Sequence, residues 1–396
     1  MKSRMLLALI AASVLALGTA SAFAQTIKIG FITSYSGLNG NLGPYMERGM
    51  RLYLKEHQKE LPPGVSIEFL IRDDTGPNPD KAKQLAQELI VRDRVQFLTG
   101  VVWTPNAAAI APLTAEAKVP FMISNAAGAA VTTLSPYVAR LSVTLWQPCL
   151  PLGQWAAKNY KRAFIIVSDY APGHDSEAAF EKGFTDAGGQ MVGKLRIPLN
   201  TTDFSPFMQR AKDAKPDVLF TFVASGRTST AFIKNFGDLG LDRAGIKLIG
   251  PGEIVPDDEL PNMGDIALGV ITASYYSVAG DRPANRAFLG AWRREYGERS
   301  IPPGMAVATF DAMDAIYFAI RGQAGKVDGE RSMALFKTYK NPNSARGPVS
   351  IDPETRDVVQ NIYIREVRRV GGELANVEFQ TIPNVRDQWK ELNNKK

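Results

Sequence analysis

Hydrophobic and polar positions alternate along the chain between two kinds of run. Short apolar blocks at Ile27–Ile32, Val65–Ile71, Val95–Leu98 and Phe121–Ile123 predict strands, and apolar residues at helical spacing between them predict helices over Tyr45–Lys59, Pro79–Arg92 and Pro105–Ala117. A helix over Trp146–Tyr160 then leads into a second series. Its predicted strands are Ala163–Val167, Gln190–Ile197, Val218–Phe222, Lys247–Ile249 and Val270–Ser274, and its helices Ser176–Ala187, Phe204–Ala214 and Thr228–Leu239. Strands alternating with helices argue for a parallel sheet covered on both faces. Two such series predict an α/β chain of two Rossmann-like lobes with parallel sheets.

Beyond Asp281 the pattern predicts helices at Pro283–Tyr296, Met305–Arg321 and Glu330–Tyr339, and a strand at Gln360–Val367. These are too few for a third domain. The expected division is therefore 25–145 plus 281–350 for a discontinuous first lobe, and 146–280 plus 351–396 for the second lobe and a hinge return. In open α/β sheets ligands collect beyond the carboxyl ends of the strands, so the strand-end loops of both lobes are expected to line one cleft. Several of those loops are rich in Gly, Ala, Ser and Thr, which let a ligand approach the backbone.

The N-terminus changes the picture of where the chain works. Lys2 and Arg4 precede an apolar run from Met5 to about Leu17 and the small residues up to Ala24, the order of a secretory signal peptide with cleavage expected after Ala24. That predicts a periplasmic protein, since the apolar run is short for a membrane span. The whole chain has 46 Lys and Arg against 40 Asp and Glu, a formal charge of +6. The basic residues form no long run, so neither nucleic acid nor a membrane surface is implied, and a monomer is expected. Cys149 is the single cysteine, so no internal disulfide can form, and its apolar surroundings predict a buried small hydrophobe.

Candidate chemistry starts at "FLTGVVWTPNAAAIAPL". Thr104 is expected as the N-cap and Pro105 as the first residue of a helix. Such a start presents free N–H groups and partial positive charge to an anion, with Trp103 as an adjacent wall. The alternative is an ordinary capped strand-to-helix turn. Asp73-Asp74 reads as a carboxylate pair or, better, as turn and capping residues. His174-Asp175 reads as a ligand contact or a solvated pair, and Arg227 as a carboxylate fork or a surface residue. Among aromatic residues, Trp103 and Tyr170 both fall in strand-end loops. No G-x-S-x-G, H-E-x-x-H or phosphate loop occurs, and there are two histidines, which counts against a hydrolase. No cofactor or metal is expected.

The stretches "IKIGFITSYSGLNGNLG", "RDDTGPNPDKAKQLAQELI", "FLTG", "VPFMISNAAG", "KPDVLFTFVASG", "LIGPGE" and "ARGPVSID" to "QNIYIREV" together resemble the periplasmic leucine/isoleucine/valine-binding family of ABC importers, the type I periplasmic binding fold. The resemblance covers the mature chain. It implies a receptor, not an enzyme, that closes by a hinge on a small carboxylate ligand and delivers it to a membrane permease; a sensor subunit is the alternative. It also implies that the Thr104 hydroxyl holds the ligand carboxylate, that the Ala126, Ala127 and Gly128 loop meets the ligand, and that Glu253 or Gly252 lies near an ammonium group. Gly128 stands where amino-acid binders commonly carry threonine, and Ala224 where they often carry tyrosine. With Trp103, Tyr170 and His174 in the remaining candidate set, these departures suit a larger, flatter ligand, so aromatic carboxylates stand beside amino acids as the expected class.

Overall fold

The computed structural model describes residues 25–393; the expected signal segment and its cleavage site lie outside the described residues. In the first lobe β1 (Gln25–Thr33), β2 (Val65–Asp73), β3 (Phe97–Gly100), β4 (Phe121–Ile123) and β5 (Val138–Arg140) form a parallel sheet in the order β2-β1-β3-β4-β5. Register places Ile32 beside Gly100 and Gly100 beside Ile123, so three strand ends stop at one level. Helices α1 (Leu42–His57), α2 (Pro79–Gln87) and α3 (Thr104–Ala117) connect the strands. Asn78 caps α2 by accepting the Lys81 N–H, with Pro79 in the first turn where no N–H is lost.

The second lobe begins with α4 (Trp146–Asn159) and continues as β6 (Arg162–Ser168), α5 (Ala171–Asp186), β7 (Gln190–Ile197), α6 (Ser205–Asp213), β8 (Val218–Phe222), α7 (Arg227–Asp238), β9 (Lys247–Pro251) and β10 (Ile271–Ser274). Strands β6 to β10 are parallel, and β8 is buried at all its positions, as expected where helices cover both faces.

The returning segment divides between the lobes. Helices α8 (Pro283–Tyr296), α9 (Gly304–Arg321) and α10 (Gly329–Phe336) come first. Met313, Ile316 and Ile320 of α9 and Phe336 of α10 share a core with Ile27, Ile29 and Phe31 of β1 and Met46 of α1. The strands that follow take their backbone partners from the second sheet. β11 (Lys340–Asn341) pairs antiparallel with β12 (Val349–Ile351), and β12 antiparallel with β13 (Val358–Val370), which lies beside β10 in the second sheet. The segment expected to close the first lobe at 350 thus joins both sheets: β12 takes its backbone partners from β13, while Val349 and Ile351 pack in the core shared with β1. A further strand absent from the sequence reading, β14 (Glu373–Val385), folds back on β13 through Gly371 and Gly372, whose φ values of 59° and 91° suit the turn.

Where the chain crosses between lobes, buried polar side chains fasten the crossings together. Arg346 donates to Asp311 at 2.7 Å, to Gln360 at 2.7 Å and to the Ser142 carbonyl at 3.1 Å. Gln147 donates to the carbonyls of Val358 and Val385, both at 2.9 Å. The short helix α11 (Gln388–Asn393) places Lys390 against Asp357 and Asp387.

Candidate functional site

Strand β3 ends at Gly100, whose φ of 98° no side chain tolerates easily, and a Cβ there would lie 2.4 Å from the Ile32 carbonyl oxygen. Val101 follows at φ 65°, a strained conformation for a β-branched residue. Its N–H donates to the Ile32 carbonyl at 2.6 Å and its carbonyl accepts the Ala126 N–H at 3.0 Å, which hold the reversal. The chain is thereby turned so that Trp103 and Thr104 face the space between the lobes.

A buried carboxylate fixes this corner. Asp74 accepts from Ser34 Oγ at 2.6 Å and Asn106 Nδ2 at 2.8 Å, and Ser34 Oγ in turn accepts the Trp103 indole N–H at 3.0 Å. Burial pushes the Asp74 carboxyl above its ordinary range, against the pull of those hydrogen bonds. Asp73 serves the turn beside it, accepting from the N–H groups of Tyr35 and Thr75 and from Ser36 Oγ.

Thr104 is the first residue of α3 and Trp103 its N-cap position, one place earlier than the expected cap. The Thr104 side chain does not cap its own helix; its Oγ1 accepts the Gly128 N–H at 3.0 Å. An extended Trp103 carries the chain straight into the helix, so Thr104 points across to the next strand-end loop. Among the described residues the Thr104 hydroxyl donates to no acceptor, and Thr104 lines the cleft.

The cleft between the lobes, about 810 Å³ with its opening, brings together Trp103, Thr104, Ala127, Tyr170, Ala224 and Glu253 of the sequence candidates. Three others fall elsewhere. Ala126 and Gly128 are buried behind the surface, where their carbonyls accept from Arg140 at 2.9 and 2.8 Å, and a Cβ on Gly128 would lie 2.4 Å from Thr104 Cγ2. His174 sits on the exposed side of α5 and pairs with Asp169 at 2.6 Å, outside the cleft lining. Its expected partner Asp175 turns the other way and joins the lobes, accepting the Ala129 N–H at 2.8 Å and the Trp146 indole N–H at 3.3 Å. Arg227 opens α7 on an exposed edge away from this cleft.

Rings form one wall. Tyr170 packs with its centroid 6.3 Å from Trp103 across the lobe boundary and 6.0 Å from Phe222 within its own lobe. At the second-lobe end Glu253 faces the cavity beside Arg365, Asp257 and Tyr275. Desolvation raises the Glu253 carboxyl above its ordinary range, while the Arg365 guanidinium opposes that rise. Arg365 is itself held by Thr272 Oγ1 at 3.0 Å, by the Tyr276 and Gly252 carbonyls, and by Asp257 at 3.8 Å. In the sequence Arg365 falls within the strand expected at Gln360–Val367 and is not among the candidate site residues. Its signal was a cation inside the apolar run "NIYIREV".

This architecture, two α/β lobes closing on a cleft lined at strand ends, is that of a type I periplasmic binding protein. The chain belongs to the periplasmic binding protein family, whose model matches residues 26–373. It is 40% identical over 383 residues, 96% of this chain and 98% of the relative, to "Leu/Ile/Val-binding protein homolog 6" of Brucella melitensis. A solute-binding protein of an ABC transporter from Rhodopseudomonas palustris BisB5, solved with 3,4-dihydroxybenzoic acid, superposes with a TM-score of 0.88 at 45% identity, covering 92% of this chain and 99% of that one. A counterpart from Rhodopseudomonas palustris HaA2, solved with p-hydroxybenzoic acid, gives 0.89 at 41% identity over 94% and 100%. The chain is thus a solute-binding receptor of the ABC-transporter type, a periplasmic class.

Proposed function

We propose that the mature chain, released by cleavage after Ala24, is a monomeric receptor that captures an aromatic carboxylate in the interlobe cleft and hands it to a membrane permease. The observation that carries this reading is the start of α3, where a free Thr104 hydroxyl proton and the first-turn N–H groups meet a cavity walled by Trp103, Tyr170 and Phe222. The ligand carboxylate rests on the helix start and its ring lies along the aromatic wall. Ala224 leaves room for that ring where a tyrosine would occupy it. The dihydroxybenzoate and hydroxybenzoate found in two relatives support the same ligand class.

Closure of the lobes raises affinity for whatever fits between them. Asp175 contributes to closure by its bond to the Ala129 N–H across the boundary. The reading assigns no bond chemistry and no cofactor to the cleft. His174 lies outside it, and burial pushes the Cys149 thiol far from a reactive thiolate.

A thermal-shift panel of benzoate, 4-hydroxybenzoate, 3,4-dihydroxybenzoate, leucine and valine tests the reading, because a ligand that binds only the folded state raises the melting temperature. Stabilisation by one or more aromatic acids and by neither amino acid is expected. Stabilisation by leucine or valine alone overturns it.

A further inference from the structure

The cleft has two chemically different ends. The helix start of the first lobe offers donors and no acidic side chain, whereas the second-lobe end carries the Glu253 and Asp257 carboxylates around one guanidinium. Asp257 is occupied, accepting from Asn376 Nδ2 at 3.0 Å and the Val278 N–H at 3.5 Å. Glu253 differs. Among the described residues no side chain donates a hydrogen bond to its carboxylate, and its own backbone N–H is the one hydrogen-bonding group near it. Its carbonyl accepts from Ser225 Oγ at 3.1 Å, so the residue's backbone is fixed while its carboxyl group faces the cavity.

A carboxylate facing an enclosed space with no side-chain donor recognises a donor on the ligand, since leaving its remaining lone pairs unmatched in the closed complex costs desolvation energy. A second carboxylate is disfavoured there, because it would meet Glu253 and Asp257, and Arg365 gives a hydrogen bond from each of its three nitrogens to Thr272, Tyr276 and Gly252. Resting on the aromatic-acid reading above, the geometry points to Glu253 as the acceptor for a ring hydroxyl set opposite the ligand carboxylate, which makes it the residue that selects hydroxylated benzoates over benzoate itself. Arg365 acts behind it as a positioning residue, biasing Glu253 toward the charged, accepting form. The hydroxyl donates its proton in a hydrogen bond to Glu253 Oε, and no bond is made or broken.

Calorimetry of the full mature chain with benzoate and 4-hydroxybenzoate, on the wild type and on Glu253→Gln and Glu253→Leu, tests this assignment. A hydrogen bond to a charged group predicts a preference of roughly tenfold to hundredfold for 4-hydroxybenzoate in the wild type. In Glu253→Leu that preference falls to within about threefold while benzoate binding is kept or improved, and Glu253→Gln, which retains an acceptor without the charge, falls between. Persistence of the full preference in Glu253→Leu overturns the assignment. Loss of benzoate binding in both variants also overturns it, because Glu253 then serves the common part of the ligand. Failure of the wild type to bind either acid, with leucine binding instead, removes the aromatic reading itself and is distinguishable from either result.

Discussion

The Thr104 hydroxyl oxygen accepts the Gly128 N–H, so its proton is available to a ligand at the start of α3. Gly128 is required here by space: its φ of −64° suits any residue, but a Cβ would meet Thr104 Cγ2 at 2.4 Å. The absence of a side chain at 128 is what lets Thr104 reach across to the loop. Thr104→Val preserves the shape and removes both the acceptor for Gly128 and the donor to the anion. Affinity for an aromatic carboxylate is expected to fall roughly tenfold to hundredfold, the range of a charge-assisted hydrogen bond. Titration calorimetry decides; a change of less than about twofold would mean that the backbone N–H groups alone hold the anion.

The loop between β4 and β5 depends on an ion cluster built by distant segments. Arg140 at the end of β5 holds the Ala126 and Gly128 carbonyls and pairs with Asp357 at 2.7 Å, and Lys390 of α11 meets the same carboxylate. The two cations hold the Asp357 carboxyl below its ordinary range even though it is fully buried. Asp357→Asn leaves both cations buried with Asp387 as their one remaining acid in the cluster, and a loss of about 3–5 kcal/mol in unfolding free energy is expected from urea denaturation. Ligand affinity falls with it, since the loop beside Thr104 loses its brace. None of this cluster was visible from the sequence, where Arg140, Asp357 and Lys390 lie far apart and charged residues read as surface. The strands and helices of the two lobes were legible, because buried parallel strands are near-continuous apolar runs. β5, β11 and β12 were not, being two or three residues long, and β14 was missed although Gly371-Gly372 after an alternating strand is a hairpin signal.

At the scale of the whole molecule the site is an agreement between two sheets that end at the same cleft, and that much followed from the order of elements. Which side chains from each lobe face one another did not. His174 and Asp175 are neighbours in sequence but meet different partners, one Asp169 and one the first lobe, since consecutive residues on a helix are turned about 100° from each other. A buried acid near the lobe boundary sets a dependence on pH. Asp258, beside Glu259 and Asp257, is pushed up to about 7 by burial and by those like charges, while the Tyr45 hydroxyl from α1 of the first lobe partly opposes the rise. Its carboxyl therefore stays protonated in the folded protein at pH values where the unfolded chain, at about 3.9, has released the proton. The native state binds more protons across that window, so this group's contribution to stability is present in full below about pH 4 and is lost as pH rises through about 7. Asp258→Asn removes the titration and keeps the shape. The difference in melting temperature between variant and wild type is expected to grow in the variant's favour from pH 5 to pH 8. A difference that stays constant over that range would show that Asp258 is already ionised in the folded protein, and that Tyr45 receives a charge across the lobe boundary instead of a neutral acid.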